Sequence, residues 1–175
     1  ADLAGRIGDP QVRNRGTIGG SVANDDPAAC YPAAVLGLGA TVLTDRREIP
    51  ADDFFIAMFT TALEEGEIVT GVRFPIPEKS NYQKFIQPAS RFPLTAVYAA
   101  KTASGPRIAV TGASNDGVFR WSEAEQALAS TWSADAIDPL ATPDSSGMIG
   151  DIHGSPEYRA HLVKVLTKRA VAAAA

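Results

Sequence analysis

The chain has 175 residues, of which 45% are hydrophobic and 21% are charged, and its net charge is −4. This composition supports one folded domain or two small ones, and it argues against a nucleic-acid-binding surface, which needs clustered Lys and Arg. The sequence has no apolar run of about 18 residues that could span a membrane, and its single Cys30 cannot form an internal disulfide, which is typical of a cytoplasmic protein.

The first part of the chain alternates short helical and extended segments. Its opening residues read as a helix without a cap, so we interpret Ala1 as an artificial or processed start within a longer chain. The elements expected next are a tight turn at the paired glycines, a helix ending at Gly37 or Gly39, a hairpin turning at 45–47, a helical turn from Ala51 and a strand over 67–73. This alternation predicts an α/β or α+β unit over residues 1–78.

Pro75 and Pro77 mark the expected boundary with a second unit, residues 79–175. Three strand-like runs, 82–88, 94–101 and 107–113, predict an antiparallel meander. Two helices should follow. The first would begin with a capping box at Ser122 and Glu125, and the second with Ser155 as cap and Pro156 in the first helical position. We expect an antiparallel sheet with helices on one face.

The segment Thr17-Ile18-Gly19-Gly20 is the most informative motif. Consecutive glycines allow backbone conformations that other residues avoid, and they let a ligand approach the N–H groups closely, as a phosphate or pyrophosphate requires. The spacing matches neither the dinucleotide pattern G-x-G-x-x-G nor the nucleotide loop that ends in Gly-Lys-Ser/Thr. By itself the segment is more typical of a tight turn between packed elements than of a ligand site.

The surrounding sequence resembles the FAD-containing medium subunits of molybdenum hydroxylases, the relatives of carbon monoxide dehydrogenase and xanthine dehydrogenase. The resemblance covers nearly the whole chain and is carried by IGDPQVRNRGTIGGSVANDDPAACYPAAVLGLGATV, EIVTGVRFP, KFIQPASRFPLTAV, RIAVTGA and GDIHGSPEYRAHLVKVLTKRAV. It implies an α+β fold: the second part of an FAD-binding domain of the vanillyl-alcohol-oxidase type, followed by a small C-terminal domain of antiparallel sheet plus helices.

The same resemblance assigns cofactor-binding residues. Its pyrophosphate-binding positions fall on Thr17, Ile18, Gly19 and Gly20. Its positions near the ribityl chain or the diphosphate fall on Ser21, Asn24 and Asp26. The aliphatic neighbour of the isoalloxazine falls on Val69, and the basic flavin neighbour falls on Lys84, with Gln87 as the alternative.

The implied function is electron transfer within a larger complex. FAD would accept electrons from a small iron–sulfur subunit, which is reduced by a molybdopterin-containing large subunit, and no side chain of this chain would act as a catalytic acid or base. Two departures modify this expectation: Cys30 replaces an aspartate common in relatives, and nothing before Asp9 resembles the first pyrophosphate loop. The chain is therefore expected to lack the N-terminal subdomain and to bind FAD weakly or not at all.

Other interpretations remain beside this one. His153 and His161 have no neighbouring ligands at metal-site spacing, so we expect no metal. Asp25 and Asp26 fit a paired acid–base site, but Asp26 before Pro27 fits a helix N-cap as well. A structural or assembly module without flavin is the leading alternative function. A free-standing flavin oxidase of the sugar-linked kind is a third possibility, although no substrate-binding cap or covalent flavin anchor is visible in the sequence.

Overall fold

The structure is a computed structural model that describes residues 1–174. The helices are α1 (Asp2–Gly5), α2 (Pro10–Arg15), α3 (Ile18–Asn24), α4 (Tyr31–Gly37), α5 (Ala51–Phe54), α6 (Ser122–Ser130) and α7 (Pro156–Ala173), with a 3₁₀ turn at Ala134–Ile137. The strands are β1 (Thr41–Thr44), β2 (Glu48–Pro50), β3 (Phe55–Ala57), β4 (Thr60–Thr61), β5 (Val69–Arg73), β6 (Lys79–Ile86), β7 (Pro93–Thr102), β8 (Gly105–Ser114) and β9 (Gly117–Arg120). Within the described residues, none of these helices combines the length and the apolar character needed to cross a membrane.

The strands form three antiparallel sheets. In the first, β1 lies between β2 and β5, and Val42 pairs with Ile49 on one side and Val72 on the other. β3 and β4 form a two-stranded hairpin, and β6 to β9 form a meander in chain order. The predicted β1–β2 hairpin and the meander are confirmed, and β9 adds a strand that the sequence pattern did not indicate.

The four-stranded sheet is covered on both faces. Val97 and Ile108 point into a core that also contains residues of α6 and α7. Ala96 and Ala109 point the other way, where α4 packs against β7, β8 and β9. Successive strand residues face opposite sides of a sheet, so two covered faces give nearly continuous apolar strands. The helices of the second part, α6 and α7, lie on one face of the sheet as expected, and α4 from the first part of the chain covers the other face.

The cap predicted for the last helix is confirmed. The Ser155 hydroxyl accepts a hydrogen bond from the Tyr158 backbone N–H at 3.2 Å, and Pro156 occupies the first helical position, where its missing N–H costs nothing. The buried positions of the apolar stripe are Leu162, Val163, Leu166, Ala170 and Val171. This stripe fixes α7 against β6 and β7.

The capping box predicted for α6 is wrong. Trp121 occupies the N-cap position, and the Ser122 hydroxyl donates to the Glu123 side chain instead of capping the helix. Glu125 does not complete a capping box. Its carboxylate instead accepts hydrogen bonds from the Ile108 N–H at 2.8 Å and from the Arg120 guanidinium. A charge-assisted pair of this kind outweighs a local cap.

Candidate functional site

Thr17 begins a helix at the predicted glycine motif. Its backbone is extended and its hydroxyl accepts a hydrogen bond from the Gly20 N–H at 3.0 Å, so Thr17 is the N-cap of α3. Gly19 and Gly20 lie in the first helical turn, and neither has a positive φ. The expected turn with unusual backbone angles is therefore wrong, because the threonine cap organises the segment as a helix start.

The lack of a side chain has a different consequence at each of the two glycines. A Cβ on Gly19 would lie 3.3 Å from the Val69 carbonyl oxygen, so Gly19 allows α3 to pack closely on β5. A Cβ on Gly20 would lie 3.1 Å from the Thr17 hydroxyl oxygen, and Gly20 lines an open cleft. Gly19 therefore allows α3 to pack closely on β5, whereas Gly20 leaves space in the cleft beside the Thr17 cap.

The cleft has a volume of about 710 Å³ and is bordered by α2, α3, the segment 28–31 and the loop before β7. Such a volume is typical of small-molecule and cofactor sites. Five of the residues predicted from the resemblance line it, namely Thr17, Gly20, Ser21, Asn24 and Asp26.

The other predicted residues lie elsewhere. Ile18 and Val69 pack against the core between α4 and the first sheet, together with Gly19 on the face of α3 away from the cleft. Lys84 is buried behind the cleft, where its ammonium donates to the Arg6 carbonyl at 2.9 Å and approaches the sulfur of Cys30, a cleft residue, at 3.7 Å. Ile18, Gly19 and Val69 thus support the wall of the cleft, and Lys84 supports its floor.

The sequence analysis did not identify two arginines that line the cleft. Arg13 and Arg15 stand on α2, which Asp9 caps by accepting hydrogen bonds from the N–H groups of Gln11 and Val12 at 2.7 and 3.1 Å. The Arg13 guanidinium also donates to the Gly5 carbonyl at 2.9 Å. The signal was present as Asp9-Pro10, a capping residue followed by a first-position proline, directly before the basic run.

The opposite border of the cleft is the loop between β6 and β7. Ser90 and Arg91 both have positive φ, 59° and 58°, and the Gln87 N–H donates to the Phe92 carbonyl at 3.0 Å to close the loop. Ser90 and Phe92 line the cleft, and the Phe92 ring packs edge-to-face against His153 at 5.7 Å between centroids. His153 is thus an aromatic neighbour of this loop, and residues 1–174 contain no cluster of three or more potential metal ligands.

Asp25 and Asp26 face different surroundings. The Asp26 carboxylate accepts a hydrogen bond from the Ala28 N–H at 2.8 Å beside the cleft, and Cys30 takes the N-cap position of α4. Asp26 therefore forms a local turn and caps no helix. Asp25 is 1% exposed, and burial, with a smaller effect from the charge of Asp26, raises its pKa to about 7.

The cleft combines features that suit a dinucleotide. The first turn of a helix leaves backbone N–H groups without intrahelical acceptors, and two arginines against one aspartate give the lining a positive balance. Ile7, Val12 and Phe92 add apolar surface. An amphipathic ligand that carries phosphate therefore fits the residues present.

The mixed fold of antiparallel sheets and helices carries this cleft at the start of α3. Residues 1–77 match the family described as the FAD binding domain in molybdopterin dehydrogenase. This part of the chain belongs to that family, whose cofactor is FAD.

Comparisons along the whole chain agree with the family match. The chain is 36% identical to the glyceraldehyde dehydrogenase medium chain of Sulfolobus acidocaldarius, over 94% of this chain and 63% of the relative. It is 37% identical to the nicotine 6-hydroxylase medium subunit of Paenarthrobacter nicotinovorans, over 96% of this chain and 64% of the relative. The reconstituted CO dehydrogenase from Oligotropha carboxidovorans superimposes with a TM-score of 0.81 at 29% identity, over 95% of this chain and 63% of that one.

The chain is therefore similar, along most of its length, to medium chains of dehydrogenase and hydroxylase complexes, as the sequence resemblance predicted. The chain spans less than two thirds of the length of each of the three.

Proposed function

We propose that this chain forms part of the flavin (medium) subunit of a molybdenum hydroxylase complex and that its cleft holds part of FAD. The observation that carries the proposal is the cleft at the start of α3, most of whose lining belongs to residues 1–77, the segment that matches the FAD-binding family. When bound, FAD supplies the redox chemistry that connects an iron–sulfur subunit with an electron acceptor. The residues of this chain supply binding, orientation and charge.

In this proposal the diphosphate lies against the start of α3. The start of α3 at Thr17 and the guanidinium groups of Arg13 and Arg15 face its charge. Ser21, Asn24 and Asp26 line the next stretch of the cleft and bind the ribityl chain or the diphosphate. No side chain of the cleft is required as an acid or base.

The remaining predicted residues act indirectly. Ile18, Gly19 and Val69 hold α3 on β5 and so fix the direction of the helix start. Lys84 binds the Arg6 carbonyl and approaches Cys30, and so it holds α1 and the floor of the cleft together. We propose that Lys84 positions the site without touching flavin.

The proposed partners are a molybdopterin-containing large subunit and an iron–sulfur small subunit. The names of the relatives support this assignment, because each of them is a medium chain or subunit. We further propose two structural parts, residues 1–78 from the FAD-binding domain and residues 79–175 as the small C-terminal domain, with α4 of the first part packed on the sheet of the second.

The isolated polypeptide 1–175 should bind FAD weakly. Its described residues offer one helix start and two arginines to a diphosphate in the cleft, whereas tight dinucleotide sites surround both phosphates with charge-assisted hydrogen bonds worth about 1.5–3 kcal/mol each. Removing several such bonds moves a nanomolar site to the micromolar range. On its own, the polypeptide should therefore be inactive in electron transfer.

A titration of FAD into this polypeptide, followed by flavin fluorescence, tests the proposal. We expect saturable binding at micromolar or higher concentration, weakened about tenfold or more by Gly20→Val, because a branched side chain beside the Thr17 hydroxyl blocks the cleft wall. Gly147→Val is the control, since a Cβ there meets no atom within 4 Å. Complete absence of binding would favour the structural-module alternative, and tight stoichiometric binding would contradict the weak-site argument.

A further inference from the structure

Asp25 occupies a strained position at the end of α3. It is the C-cap residue, with left-handed backbone angles of φ 44° and ψ 47°. Non-glycine residues adopt this region at a cost, although Asp and Asn tolerate it better than most. The surrounding structure must therefore hold Asp25 in place.

The β3–β4 hairpin supplies that restraint. The Phe59 N–H, at the tip of the hairpin, donates to the Asp25 carbonyl at 3.2 Å. Phe59 itself has a positive φ of 56°. One hydrogen bond thus joins two strained residues, one from α3 and one from the hairpin.

One oxygen of the Asp25 side chain is enclosed without a donor. Its Oδ2 atom is buried and has no hydrogen-bond partner within residues 1–174. A Cβ built on Gly117, at the start of β9, would lie 3.4 Å from this oxygen and 3.2 Å from the Met58 nitrogen, so the three segments meet closely.

Few charges act on this carboxyl group. The hairpin residues 55–61 carry no ionisable side chain. Asp26 is the charged neighbour that acts on Asp25, and Asp116, on the turn before Gly117, is exposed. No cation therefore compensates a negative charge at Asp25.

The enclosure fits the neutral form of the carboxyl group. A buried carboxylate without donors is costly, whereas the protonated group loses much less on burial. The end of a helix also carries partial negative charge, which adds to the cost of an anion there. Ionisation therefore favours movement of Asp25 towards water.

We propose that Asp25 is a pH-sensitive latch: its protonated carboxyl group keeps the end of α3 closed against the β3–β4 hairpin, and ionisation opens this junction. The adjacent Asn24 and Asp26 line the cleft, so opening displaces part of the cleft wall. The consequence for FAD rests on the function proposed above, whereas the latch itself does not.

The direction of the pH effect follows from proton binding. A raised pKa means that the folded state binds a proton that the unfolded state has already lost, from about pH 4 to about pH 7. Stability from this group therefore falls as pH rises through that window and stays low above it. Asp25→Asn keeps the shape and tolerates the backbone angles, but it cannot ionise.

Hydrogen exchange and thermal melting of the chain without FAD test the latch. We expect the protection factor of the Phe59 amide to fall roughly tenfold between pH 6 and pH 8.5 in the wild type and to stay unchanged in Asp25→Asn. The melting temperatures of the two should agree near pH 4, and the variant should melt several degrees higher at pH 8.5. Asp116→Asn, an exposed control, should follow the wild type.

An Asp25→Asn protein that loses Phe59 protection with pH in parallel with the wild type would overturn the latch. So would a wild type whose Phe59 protection is independent of pH, and this second measurement needs no variant. An FAD titration at both pH values adds the functional readout: weaker binding at pH 8.5 in the wild type only is expected. If FAD binds at neither pH while Phe59 protection still changes, the proposed function fails and the latch stands.

Discussion

Adjacent residues of the glycine pair have separable roles. Gly19 faces the backbone of β5, and Gly20 faces the cleft. We expect Gly19→Val to destabilise the fold by about 1–3 kcal/mol, because it overpacks the contact with Val69, and to lower the melting temperature by several degrees. Gly20→Val should mainly weaken FAD binding. Thermal melting and FAD titration of both variants check this separation, and equal effects on both quantities would contradict it.

The Glu67 carboxylate should make the stability of the fold depend on pH. Its buried carboxylate accepts hydrogen bonds from Arg47, from the Thr44 hydroxyl and from the Glu64 N–H, and the Arg47 hydrogen bond is the main reason that its pKa falls to about 2. A lowered pKa means that the unfolded state binds more protons between about pH 4.5 and pH 2, so this stabilisation is present above that window and is lost as pH falls through it.

The matching variant is Glu67→Gln. It should melt at a lower temperature than the wild type at pH 7, and the difference should shrink as pH falls towards 2. Glu78→Gln, which removes an exposed partner of Lys101, is the control and should change melting little at either pH. A melting difference for Glu67→Gln that is constant with pH would show that the carboxylate charge is not what stabilises this turn.

Helix caps provide the test at the scale of elements. Ser155 caps α7, whereas Ser122 does not cap α6. We expect Ser155→Ala to cost about 1 kcal/mol, which corresponds to roughly 2–4 °C in melting temperature, and Ser122→Ala to cost almost nothing. Denaturation of the two variants decides the point. The same loss in both would mean that capping is not the reason for the effect at Ser155.

The elements also show what the sequence could predict. The β1–β2 hairpin and the meander follow from local alternation and turn residues, so they were predicted without knowledge of the fold. The position of α6 was also predicted, but its capping box was wrong, because Glu125 is held by Arg120 and Ile108 rather than by its own helix terminus. The helical state of Gly19 and Gly20 was missed because glycine favours turns in isolation, whereas here the Thr17 cap and the contact with β5 decide the conformation.

The cleft is formed by residues from distant parts of the chain. The family resemblance predicted Thr17, Gly20, Ser21, Asn24 and Asp26, which share one side of the site. It did not predict the other borders: the signal for α2 was not used, and the loop before β7 is distant in sequence from α2 and α3 and meets them only in the fold. The sequence also does not indicate side-chain direction, so only the structure shows that Lys84 lies behind the cleft.

Contact between the two parts of the chain leads to a further prediction. Besides the α4 packing, the Arg107 guanidinium in β8 donates to the Leu36 carbonyl at 2.8 Å and to Asp52 at 2.7 Å. A fragment of residues 79–175 would expose the sheet face that α4 covers and would leave Arg107 without these acceptors. We expect this fragment to melt well below the full chain and to self-associate, as measured by calorimetry and sedimentation. A monomeric fragment of unchanged melting temperature would show that α4 adds little.

The central claim is that the cleft between α2, α3 and the loop before β7 receives FAD. Backbone amide chemical shifts of the chain, recorded by NMR during an FAD titration, test it most directly. We expect saturable shifts concentrated at residues 12–31 and 90–93, with the largest changes at the start of α3. Shifts concentrated elsewhere, for example in the separate groove beside Phe74 to Pro77, would contradict it.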